Sequence, residues 1–118
     1  MMKIKNERRK YRRLPLEFPV EITRPKKIKK AKTKDISIKG ICLITPQGIK
    51  ENTILRLNIS LDTEQGVMVI PIKGKVVWKM KKGNKEYHHG ILITEIKPDK
   101  YEEYRRFLAT KLIDYILG

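Results

Sequence analysis

The chain has 118 residues, 40% of them apolar, with one cysteine and a net charge of +15. That length and apolar content describe one domain with its own core and exclude a disordered polyelectrolyte. A single cysteine rules out an intrachain disulfide and fits a reducing, cytoplasmic setting; no apolar run is long enough for a transmembrane helix, and the N-terminus lacks the apolar stretch of a signal peptide.

The charge is uneven. Residues 1–34 carry fourteen basic against three acidic side chains, whereas the remaining 84 carry fourteen against ten. A field of this kind draws nucleic acid, nucleotides or anionic lipid, and charge alone does not choose among them.

In chain order, residues 1–13 have no hydrophobic period and read as a flexible basic arm ending in "ERRKYRR". "LPLEFPVEI" alternates, with Leu14, Leu16, Phe18, Val20 and Ile22 on one face, and predicts a half-buried strand. Pro15 and Pro19 assign it to a sheet edge or a bulge. "TRPKKIKKAKTKD" is almost wholly basic, a polar strand or hairpin arm whose one large apolar residue is Ile28. "GICLIT" reads as a short buried strand, and "ILRLNISL" places Leu55, Leu57, Ile59 and Leu61 on one face. "VMVIPIKGKVVWKM" is a long strand with Pro71 and Gly74 at bulge or corner positions, and "YHHGILITEI" returns after a turn. From Pro98 the period becomes helical, with a stripe of Tyr101, Tyr104, Leu108, Leu112 and Tyr115 that predicts packing on the barrel or on a second protomer, hence a candidate homodimer. The fold class expected is mainly β: a small antiparallel barrel of about six strands over residues 14–97, a C-terminal helix over 98–118 and the arm over 1–13.

Catalytic chemistry finds little support. His88 and His89 are adjacent, so in a strand they face opposite ways and cannot share a metal ion. Cys42 sits in an apolar run as a small core residue. No phosphate-binding glycine loop or activated nucleophile is present, so neither an enzyme nor a cofactor is expected.

Two stretches stand out. "RRKYRR" contains Arg9-x-x-x-Arg13, and "DISIKG" contains Asp35-x-Ser37-x-x-Gly40. Within residues 7–13 four of five basic side chains are arginine, whereas residues 25–34 use lysine only. A general electrostatic face needs charge alone. Arginine adds a planar fork that pairs phosphates or the guanine O6/N7 edge and stacks on bases. Asp35 can accept from guanine N1–H and N2–H₂, Ser37 offers a hydroxyl, and Gly40 permits an unusual φ or a close backbone approach. By themselves, "ERRKYRR" also fits a solvated tail and "DISIKG" an ordinary turn.

The RxxxR arm followed by DxSxxG, with "LPLEFPVEI", "GKVVW" and "HHGILI" around them, resembles the PilZ family of bacterial cyclic di-GMP receptor domains over about residues 7–108. The resemblance implies that Arg9 and Arg13 grip guanine edges and phosphates, and that Asp35, Ser37 and Gly40 hold a guanine on the barrel. Arg8 and Arg12 would add phosphate or stacking contacts, and Trp78 is either a guanine platform or a barrel-wall aromatic. It further implies an arm that orders on the ligand, a separate effector protein, and pathways of motility and biofilm formation. The alternatives are a basic barrel binding single-stranded nucleic acid, which the scarcity of strand aromatics (Phe18, Trp78, Tyr87) disfavours, and an adaptor of the same family that binds no ligand.

Overall fold

The computed structural model describes residues 13–117. Six antiparallel strands close into a barrel: β1 (Pro19–Arg24), β2 (Ile28–Ile36), β3 (Gly40–Thr45), β4 (Ile54–Thr63), β5 (Gly66–Gly83) and β6 (Glu86–Glu95), followed by α1 (Pro98–Leu117). The ring order is β1-β2-β3-β6-β5-β4, so β1 is hydrogen-bonded on both sides. Of the two expectations for β1, a sheet edge or a bulge, the structure rules out the edge and shows the irregularity. Pro19 is tolerated because it is the first residue of the strand, and the register shifts after Val20 and after Ile22 supply the irregularity instead.

The core follows the period-2 pattern. Val20, Ile22, Leu55, Leu57, Ile59, Leu61, Ile70, Ile72, Val76 and Ile91 are all at most 3% exposed. The basic segment forms β2, a full wall strand. Between the buried ends Ile28 and Ile36, its inward positions are the small residues Ala31 and Thr33, both buried, while Lys29, Lys30, Lys32 and Lys34 face solvent. Thr33 stays polar at no cost because its hydroxyl donates to the Leu16 carbonyl (2.7 Å) and accepts from the Phe18 amide (2.9 Å). Gly74 marks a register shift against β6, whereas Pro71 sits opposite Asn58 with no shift.

Helix α1 begins with Pro98 and has Asp99 in its first turn, consistent with N-terminal preferences. Its buried side chains are Tyr104, Phe107 and Leu108, with Phe107 meeting Phe18 edge-to-face at 5.5 Å. The expected stripe is therefore only partly right. Tyr101 and Tyr115 are 37% and 57% exposed, Phe107 takes the inward place, and Ile113, Ile116 and Leu117 are exposed. Among the described residues no helix is long and apolar enough to cross a membrane.

Candidate ligand site

The site forms where the start of the described chain, the β2–β3 turn and α1 converge. Leu14 and Ile36 exchange backbone hydrogen bonds, Leu14 N–H to the Ile36 carbonyl at 2.8 Å and the reverse at 3.0 Å. That bridge fixes Arg13 beside the end of β2. A register shift between Thr33 and Asp35 then turns the Asp35 carboxylate to the outer face. Arg13 Nη1 donates to Asp35 Oδ1 at 2.7 Å across 22 residues of sequence, with the side chains 40% and 26% exposed. An ion pair this open contributes at most about 1 kcal/mol to stability. It leaves a partly solvated arginine fork beside a carboxylate, which offers both donors and acceptors to an incoming group.

Ser37 closes its own turn. It is 3% exposed, its amide donates to the Gly40 carbonyl (2.9 Å), and its hydroxyl closes the turn against the Gly40 carbonyl and amide, both at 3.1 Å. The hydroxyl therefore organises the turn. Gly40 is not in the left-handed region; among the described glycines only Gly66 has positive φ. Its reason is proximity. A Cβ there would lie 3.0 Å from the Ile91 carbonyl and 3.7 Å from Arg13 Nη2.

From below, Tyr104 of α1 donates its hydroxyl to the Ser37 carbonyl at 2.7 Å and is fully buried. Burial raises its pKa far above the ordinary tyrosine value, against the smaller opposing effect of Arg13. Sequence periodicity puts Tyr104 on the helix stripe, but its bond to the motif turn has no signal in a single sequence.

Across the outer face runs a row set by strand register: Asp35 opposite Cys42, Cys42 opposite Gly90, Gly90 opposite Trp78. Trp78 is 41% exposed, and a Cβ on Gly90 would run into its indole nitrogen. The indole thus lies along the outside of β6, over Gly90, so Trp78 is not a core residue. Cys42 is 5% exposed beneath this row, and its thiol pKa is raised first by burial and then by the Asp35 charge, with Lys34 and Arg13 opposing. The same face continues as an open cleft lined by Lys32, Lys34, Ile44, Glu86 and His88.

The two histidines diverge as their adjacency requires. His88 Nε2 meets Glu86 Oε2 at 2.8 Å on the outer side, whereas His89 is fully buried and its Nε2 accepts from the Ile49 amide at 3.0 Å. Burial is the main cause holding the His89 pKa below the ordinary imidazole value. Of the expected site residues, Arg13, Asp35, Gly40 and Trp78 share the outer face, and Ser37 supports them from beneath. Arg8, Arg9 and Arg12 lie outside the described residues.

Comparison with known proteins agrees with this architecture. The family model for the PilZ domain matches residues 7–110. Among solved structures, the Bacillus subtilis inhibitor of motility (MotI/DgrA) is similar, with a TM-score of 0.78 and 20% sequence identity. The match covers 91% of this chain and 52% of that one, so this chain spans about half that protein's length, and at such identity the likeness concerns the fold. No curated protein sequence was found to match.

Proposed function

We propose, from the premise that this chain belongs to the PilZ domain family, that it is a receptor for cyclic di-GMP. Domains of this family bind and adapt rather than catalyse. The observation that carries the reading is the pairing of Arg13 with Asp35 at 2.7 Å on the outer face, next to the turn closed by Ser37 and Gly40. The ligand has two phosphates and two guanines. Arg13 supplies a fork for a phosphate or a guanine O6/N7 edge, and Asp35 accepts from the guanine N–H donors that no cation can serve. Gly40 keeps the barrel surface low at that point, and Trp78 offers a stacking plane further along the row. Arg9, with Arg8 and Arg12, completes the cationic set from the arm. The ligand orders the arm against the barrel, and the closed form is read by a separate effector protein. The setting is cytoplasmic.

Calorimetry with cyclic di-GMP tests this. Saturable binding, micromolar or tighter, is expected, and Arg13→Ala or Asp35→Ala abolishes it. A merely electrostatic site for single-stranded RNA or DNA behaves oppositely: its affinity falls steeply with salt, and Asp35→Ala strengthens it. No heat with the dinucleotide together with tight, salt-dependent RNA binding refutes the receptor reading. Silence toward both leaves the adaptor that binds no ligand.

A further inference from the structure

Strand β5 is a wall strand for only part of its length. From Gly66 to Lys75 it pairs residue by residue with β4, Thr63 opposite Gly66 through Ile54 opposite Lys75. The β3–β4 loop extends that side by one step, with Asn52 N–H donating to the Val76 carbonyl (2.7 Å) and Val76 N–H to the Thr53 carbonyl (3.0 Å). Beyond Val76, none of the described residues pairs with β5 on that side, while β6 continues opposite it as far as Gly83. Among the described residues, Val77–Gly83 is therefore an open strand edge on an otherwise closed barrel.

Its side chains divide by register. Trp78 and Met80, opposite Gly90 and His88, lie on the outer face and are 41% and 50% exposed. Lys79 and Lys81, opposite His89 and Tyr87, lie on the other face, with Lys81 Nζ 5.8 Å from the Tyr87 ring centroid. An open edge templates another strand, and lysines along it oppose pairing with a second copy, whose own lysines would meet them. The same charges repel the arginine arm of this chain. They attract a strand carrying carboxylates.

We propose that the β5 edge over Val77–Gly83 docks an extended acidic segment of another protein, added to the sheet as a further strand. Its backbone pairs with β5, its carboxylates alternate toward Lys79 and Lys81, and its apolar side chains lie beside Trp78 and Met80. This surface borders the candidate ligand site at Trp78 but requires no dinucleotide.

The test uses the full chain and two fluorescein-labelled probes. One is the peptide Glu-Val-Glu-Val-Glu-Val-Glu. The other has every valine replaced by proline, which keeps the charge but removes the three valine N–H donors and so breaks the strand's hydrogen-bond ladder. The valine peptide is expected to bind and to slow amide hydrogen exchange across residues 77–83. The proline peptide binds at least about tenfold more weakly, because strand addition depends on main-chain hydrogen bonds. The double variant K79E/K81E, whose side chains are exposed, loses about tenfold or more for the valine peptide, whereas K29E/K30E on the outside of β2 changes it less than about twofold. Unfolding curves matching the parent chain exclude misfolding as the cause. Equal binding of the two peptides, equal loss in the two double variants, unchanged exchange at 77–83, or no binding up to about 1 mM overturns the proposal. So does sedimentation showing that the chain dimerises through this edge.

Discussion

The two sides of the Ile36–Gly40 turn follow different rules. On its inner side polar groups are paired within the fold. Tyr104 covers the Ser37 carbonyl, the Ser37 hydroxyl closes onto Gly40, and Leu14 and Ile36 bond each other's backbones. On its outer side the groups are partly solvated: Arg13 and Asp35 hold one another in the open, and Trp78 lies exposed over Gly90. One motif thus separates into a buried half that fixes geometry and an exposed half that offers chemistry. Ser37 belongs to the first by its contacts, Arg13 and Asp35 to the second, and Gly40 joins the two, bonded to the Ser37 hydroxyl and facing Arg13.

Substitutions should separate the two sides. The largest stability effect is expected at Tyr104, where Tyr104→Ala empties a fully buried ring site and costs about 3–5 kcal/mol in denaturant unfolding. Gly40→Ala forces a methyl to 3.0 Å from the Ile91 carbonyl and costs about 1–3 kcal/mol in the same assay. Tyr104→Phe keeps the ring but uncovers the Ser37 carbonyl, again a loss of about 1–3 kcal/mol, so a change within error would show that water satisfies the turn. Arg13→Ala comes last for stability, at less than about 1 kcal/mol, yet it removes dinucleotide binding in calorimetry. An Arg13 variant that unfolds the domain, or a Tyr104→Phe variant that is neutral in stability but blind to ligand, would collapse the distinction.

A pH titration probes the buried side of the barrel at another point. His89 is kept neutral in the folded state, so below about pH 6.5 the unfolded chain binds a proton that the folded chain resists. Stability is fully present above that value and declines as pH falls from it toward the depressed folded pKa. Melting temperatures across this window should fall with acid, and His89→Gln should flatten that part of the slope.

Much of the barrel is legible in the sequence because alternation maps directly onto burial. Leu55, Leu57, Ile59 and Leu61 read as one face and are one face. β2 is harder, since its middle inward residues Ala31 and Thr33 carry little hydrophobic signal and Thr33 depends on partners fifteen and seventeen residues away. The helical period identifies a stripe, but burial ends where the barrel wall ends, which excludes Tyr115 and admits Phe107. The exposure of Trp78 depends on Gly90 standing opposite it after a register shift in β5, and spacing along one strand contains no such information. The Arg13 and Asp35 motifs are visible in sequence, but the contact between them is set by the Leu14–Ile36 bridge.

The bond from Tyr104 to Ser37 also bears on the order in which the domain is made. It joins residues 67 positions apart, so the turn is built early in synthesis and its carbonyl waits for a partner. All six strands precede α1 in the chain, and a ribosome delivers them first. A nascent chain ending near residue 97 therefore has its motif residues and barrel strands but an unbraced turn. The clamp that sets the turn arrives with α1, so a chain stopped before the helix is expected to present its motif without the geometry that makes it a site.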